Sequence, residues 1–257
     1  MALLELREAT MRFGGLVAVN KFSMEVKEHE IVSLIGPNGA GKTTAFNMIT
    51  GIYCIPEGEI YFDGKEITRL KPNEIVELGI SRTFQNVRLF KNLRVIENAL
   101  IGSHIGINYS VVDLFFNTKK YREQETACHK KSIEVLSSIG LGEHLYEYAG
   151  NLPYGLQRRL EIARAIMTGA KILLLDEPAA GMNPQESEDL MDFIRSLRDR
   201  GYTILIIEHD MNVVMSISDR IYVLDYGKQI AHGKPKEVNQ NADVIKAYLG
   251  DVSQITK

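Results

Sequence analysis

The sequence predicts an α/β fold: a mainly parallel central sheet, an N-terminal antiparallel β subdomain and an inserted α-helical subdomain. Three observations predict it. Short, mainly apolar runs recur at 31–35, 172–175, 203–207 and 221–224, as strands covered on both faces require. Polarity alternates with period two near the N-terminus, where Phe22, Met24 and Val26 interleave with Lys21, Ser23 and Glu25. The stretch from 93 to 150 carries no strong strand signal, and Ile133, Leu136 and Ile139 recur there at helical spacing.

The elements follow in chain order. The opening segment reads as antiparallel strands, and Asp63-Gly64, within 59–67, marks a tight turn between two short strands. The four apolar runs form the parallel sheet, with helices between them. Asn183 can cap a helix whose first residue is Pro184; Leu190, Ile194 and Leu197 share its apolar face, and Gly201 can end it. Val244, Ile245, Tyr248 and Leu249 outline a short amphipathic helix in the tail.

Bulk properties narrow the function. The chain has 257 residues, 45% hydrophobic and 25% charged, ordinary for a globular protein. A net charge of −3 argues against a broad nucleic-acid-binding face. Two cysteines, Cys54 and Cys128, suit neither a disulfide framework nor a structural zinc site and fit a reduced setting. The N-terminal segment scatters charge and has no apolar core, so it does not read as a signal peptide. The apolar runs fall far short of the about 20 residues a membrane span needs.

The strongest chemical signal is GPNGAGKTT at 36–44, which matches G-x-x-x-x-G-K-[ST] between a buried strand and a helix. Gly36, Pro37, Asn38, Gly39, Ala40, Gly41, Lys42, Thr43 and Thr44 would form the phosphate cradle. Glycines let backbone N–H groups approach phosphate oxygens, and the helix N-terminus adds favourable potential. Lys42 would contact the β- and γ-phosphates of ATP, and the Thr43 hydroxyl would bind Mg²⁺. The fold is thus expected to be a P-loop NTPase core. ILLLDEP at 172–178 then ends a buried strand in two acids. Asp176 is placed to hold Mg²⁺ through water, and Glu177 to take a proton from the attacking water.

Four further segments narrow the choice: RTFQ at 82–85, LPYGLQRRLEIARA at 152–165, AAGMNP at 179–184 and TILIIEHD at 203–210. With the loop and the acids, they make the chain resemble the ABC ATPase family over nearly its whole length. The resemblance implies one such domain over 1–257: a core with the antiparallel β subdomain at 1–85 and 160–233, a helical subdomain at 86–159 and a helical tail at 234–257. It implies that Gln85 touches Mg²⁺ and the attacking water and senses a transmembrane partner. His209 is implied to contact the γ-phosphate, and Phe13 to lie against the adenine. The segment at 152–165 resembles the family signature, which caps the ATP held by a second subunit. That signature is usually LSGGQ; here Pro153, Tyr154 and Leu156 replace Ser, Gly and Gln. Pro153 lacks a hydroxyl and an N–H, which leaves the backbone N–H groups of Tyr154 and Gly155 as donors. Asn183 stands where the family's D-loop has Asp.

The variant motifs, the stretch EHDMNVVMSISDRIYVLDYGKQIAHGKP and the tail DVIKAYLG are similar to the Liv-type ATPases of branched-chain amino acid importers. The implied partners are two transmembrane permease subunits, a second ATPase subunit, identical or sister, and an extracytoplasmic binding protein. The implied location is peripheral, at the cytoplasmic face of the inner membrane. Urea or amide importers and the lipopolysaccharide-export ATPase are alternatives, the latter keeping an SGG signature core. A soluble ABC ATPase acting on DNA or ribosomes would usually carry two ATPase units or a long coiled coil.

Overall fold

The computed structural model describes residues 2–106 and 109–249. Two sheets share the chain. The first is antiparallel, in the order β2-β1-β4-β5, from β1 (Ala2–Phe13), β2 (Leu16–Lys27), β4 (Glu57–Phe62) and β5 (Lys65–Glu66). The predicted alternation holds: Phe22, Met24 and Val26 are buried while Lys21, Ser23 and Glu25 face out. Phe62 pairs with Lys65, so Asp63 and Gly64 form a two-residue turn, with φ of 49° and 74°. Positive φ at both positions is what the right-handed twist of a hairpin selects.

The second sheet runs β10-β9-β3-β8-β7-β6, from β3 (Ile31–Ile35), β6 (Ile80–Arg82), β7 (Ile172–Asp176), β8 (Thr203–Ile207), β9 (Arg220–Asp225) and β10 (Lys228–Gly233). Every pairing is parallel except that of β10 with β9. The four strands expected from apolar runs are all present; β6 and β10 extend the sheet on either side. All five residues of β3, β7 and β8 are buried.

Strand periodicity sorts the core into layers. Val32, Leu34, Leu174, Leu205 and Ile207 face the antiparallel sheet and α1 (Lys42–Ile49). Ile31, Leu173, Leu175, Ile204 and Ile206 face the opposite way, against α3 (Val95–Gly102), α5 (Lys119–Ser138), α6 (Tyr154–Met167) and α7 (Pro184–Asp199). Two short helices, α2 (Pro72–Leu78) and α4 (Val111–Phe115), lie in the same order along the chain. The stretch from 93 to 150 is helical as expected, with Leu136 and Ile139 buried, Ile133 partly buried and one isolated bridge between Arg94 and Tyr148.

α7 starts as the sequence predicts. The Asn183 side chain accepts a hydrogen bond from the Glu186 amide at 2.9 Å, and Glu186 accepts from the Asn183 amide at 3.0 Å. Leu190, Ile194 and Leu197 are buried. The last helices are α8 (Met211–Ile217), α9 (Pro235–Asn239) and α10 (Ala242–Leu249). The tail helix is present, but its apolar face is narrower than expected. Val244 is buried and Tyr248 half-buried, whereas Ile245 is 43% exposed. The part of the expected tail at 250–257 lies outside the described residues.

Candidate functional site

Most of the predicted site residues gather at the carboxyl ends of the parallel strands, where open α/β sheets place their sites; Phe13, Tyr154 and Gly155 come from elsewhere. β3 ends at Ile35, and the loop 36–41 delivers the chain into α1. Two of its glycines are fixed by neighbours. A Cβ on Gly36 would lie 2.0 Å from the Leu224 carbonyl oxygen, and one on Gly41 2.5 Å from that of Ala18. Lys42 folds back over the loop, its Nζ donating to the carbonyls of Gly36 at 2.7 Å and Pro37 at 3.0 Å. Burial lowers the Lys42 pKa, and the carboxylates of Glu177 and Asp176 oppose that shift.

A cleft of ≈ 460 Å³ opens beside this loop, lined by 38–44, Phe13, Glu177 and Tyr226 among others. Phe13 stands at its wall rather than in the core: it is 42% exposed and meets Tyr53 edge-on at 5.1 Å.

The paired acids end β7. Asp176 is buried, and its Oδ2 accepts from Arg82 Nη2 at 2.7 Å. Arg82 also donates to Asn47 Oδ1 at 2.6 Å, so β6 and α1 both hold the metal-binding candidate in place. Glu177 is a non-glycine residue at φ 45°, and its backbone N–H donates to Ile207 O at 2.9 Å. Its Oε2 accepts from Gln85 Nε2 at 2.7 Å and lies 3.7 Å from His209 Nδ1. The three catalytic candidates Glu177, Gln85 and His209 are therefore together. They line a second cleft of ≈ 780 Å³ with Glu208, and Glu177 forms part of both clefts.

Tyr154 and Gly155 are placed apart, in the first turn of α6, and do not line the cleft beside the phosphate loop. With Pro153 at the cap position, α6 opens without a side-chain cap. The Tyr154 hydroxyl donates to Ala180 O at 3.2 Å, and the position of a Gly155 Cβ is open.

Sequence reasoning missed four charged or polar residues that shape the site. Arg82 and Asn47 hold Asp176, as above. Glu208 is buried behind His209, with its Oε1 accepting from the Ala179 amide at 3.1 Å; burial raises its pKa. Arg158, on α6, is fully buried, donating to the carbonyls of Phe84 at 2.8 Å and Gln85 at 2.7 Å and pairing with Glu161 at 2.8 Å. The two arginines sit in readable segments, but their partners are remote in sequence, so no local pattern reveals the pairing.

Comparison with known proteins finds matches over nearly the whole chain. Residues 19–180 match the family model described as ABC transporter, and residues 228–253 match the one described as branched-chain amino acid ATP-binding cassette transporter. The high-affinity branched-chain amino acid transport ATP-binding protein BraF of Pseudomonas aeruginosa is 49% identical over 97% of this chain and 98% of its own. Its counterpart LivG of Escherichia coli is 47% identical over 97% and 98%. Among solved structures, the ADP conformation of an ATP-binding cassette of an ABC transporter superposes with a TM-score of 0.85 at 35% identity. That match covers 98% of this chain and 100% of the other.

Proposed function

The chain belongs to the ABC transporter family of ATP-binding cassettes, and from that premise we propose that it powers import of leucine, isoleucine and valine as a peripheral subunit on the cytoplasmic face of the inner membrane. The cargo rests on one observation above the rest: the match at 228–253 to a branched-chain amino acid family model lies outside the general cassette match. No helix among the described residues is long and apolar enough to cross a membrane, so two permease subunits would form the path and an extracytoplasmic binding protein would deliver the amino acid.

The residues divide the ATPase work. Lys42 exchanges the carbonyls of Gly36 and Pro37 for phosphate oxygens, and its burial strengthens that attraction. Phe13 offers a ring face at the cleft wall for the adenine. Among the described residues, no three His, Cys, Asp or Glu side chains gather to hold a metal alone. The Thr43 hydroxyl, the Asp176 carboxylate and the Gln85 amide oxygen are hard donors that fit Mg²⁺ shared with ATP. Bound there, the ion would supply charge neutralisation at the phosphates. Glu177 takes the proton of the attacking water, with Gln85 and His209 orienting its carboxylate. Tyr154 and Gly155 offer backbone N–H groups to ATP held by a second cassette, identical or sister.

The test is reconstitution in proteoliposomes with the permease subunits and binding protein. Leucine-loaded binding protein should stimulate ATP hydrolysis and drive labelled leucine inward, and Lys42→Ala should abolish both. Stimulation by urea or another amide, and by none of leucine, isoleucine or valine, would replace the cargo while leaving the ATPase intact.

A further inference from the structure

The first turn of α6 is anchored from its second position rather than from its cap. Pro153, at the cap, offers no side-chain acceptor, and α6 opens without a cap bond. The next residue supplies the anchor. The Tyr154 hydroxyl accepts from Arg158 Nη2 at 3.4 Å and donates to Ala180 O at 3.2 Å. Arg158 follows one turn later on the same helix face, with its guanidinium carbon 6.0 Å from the Tyr154 ring centre. It is itself fixed: fully buried, and bonded to Glu161 and to the carbonyls of Phe84 and Gln85.

Ala180 belongs to the short loop between Glu177 and α7. Its amide donates to Glu177 O at 3.1 Å, and the amide of Ala179 donates to Glu208 Oε1 at 3.1 Å. At the far end of the loop, Asn183 caps α7. The same loop lines the cleft that Glu177, Gln85 and His209 share. One phenol therefore joins the first turn of α6 to the loop that leaves Glu177. A phenol oxygen that accepts from a cation is a stronger donor, so Arg158 tightens the grip on Ala180 O. Glycine, usual at this place in the signature that the segment resembles, has no side chain to make either bond.

We propose that the Tyr154 side chain is a positioning residue. It holds the backbone N–H groups of Tyr154 and Gly155 in register with the loop 179–182. The surface offered to the ATP of a second cassette and the loop that carries Glu177 then keep one fixed relation. The proposal rests on the reading that the first turn of α6 meets that ATP, and it gives the side chain a role there.

Tyr154→Phe tests it, because it keeps the ring and removes only the hydroxyl. Arg158 retains its bonds to Glu161, Phe84 and Gln85, and the lost bond to Ala180 is exposed, so the melting temperature should match wild type. Amide hydrogen exchange of the purified chain should quicken about three- to tenfold in peptides covering 154–160 and 179–184, and nowhere else. In proteoliposomes with the permease subunits and binding protein, the ATP concentration giving half-maximal stimulated hydrolysis should rise by about the same factor. The affinity of the isolated chain for a fluorescent ATP analogue, set by the loop at 36–44, should not change. Gly155→Asp separates the proposal from the reading beneath it. Space is open around a Cβ at Gly155, so that variant should fold. Its carboxylate would repel the phosphates, and stimulated hydrolysis should vanish. Wild-type hydrolysis by Gly155→Asp overturns the reading and the proposal together. If Gly155→Asp is inactive while Tyr154→Phe keeps wild-type exchange at 179–184 or a wild-type ATP requirement, the proposal alone falls. An equal loss of analogue affinity in the isolated Tyr154→Phe chain also overturns it, by making the hydroxyl part of the 36–44 site.

Discussion

Glu177 adopts a left-handed backbone, φ 45°, that costs a non-glycine residue on the order of 1 kcal/mol. The bond from its amide to Ile207 O holds the turn, and the turn aims the carboxylate at Gln85 and His209. Glu177→Gln keeps the shape and removes the base, so kcat should fall roughly 10²–10⁴-fold with ATP affinity retained. Single-turnover hydrolysis reads this directly, and an unchanged rate would remove Glu177 from the chemistry. Glu208 makes a pH prediction. Burial lifts its pKa above 4.5, so in that window the folded chain binds more protons than the unfolded one. Its contribution to stability is therefore present at low pH and lost as pH rises through the raised value. Glu208→Gln removes the titration and keeps an acceptor for the Ala179 amide. The melting temperature of the variant should gain on wild type as pH climbs from about 4.5; a pH-independent difference would exclude this origin.

At the scale of elements, legibility followed polarity. β3, β7, β8 and β9 were readable because they are short apolar runs, and α7 because Asn183, Pro184 and its apolar stripe agree. β6 was not: Ile80-Ser81-Arg82 has a single apolar residue, and its arginine is accommodated by an acid 94 positions away. β10 escaped for a related reason, since Lys228–Gly233 is a sheet-edge strand with no buried residue. The phosphate loop was legible as a motif, whereas Arg82, Asn47, Glu208 and Arg158 take their roles from tertiary neighbours alone. The cap of α7 gives the element its own test. Asn183→Ala should cost about 1 kcal/mol of unfolding free energy, measured by urea denaturation, and a change near zero would show that the Pro184 start suffices without the side chain.

Across the whole molecule, the first turn of α6 lies outside the cleft beside the cradle at 36–44, which suits the proposal that each ATP is held between two chains. ATP hydrolysis by the isolated chain should rise more than linearly with protein concentration until the dimer saturates. A specific activity constant over dilution would mean that one chain suffices. Arg158 adds a mechanical corollary. A guanidinium grasping the Phe84 and Gln85 carbonyls from inside α6 makes that helix and the glutamine segment a single lever. Whatever tilts α6 must tug Gln85, and Gln85 is what tethers the Glu177 carboxylate. A tilt of α6 would thereby reach the Glu177 carboxylate through two side chains, Arg158 and Gln85.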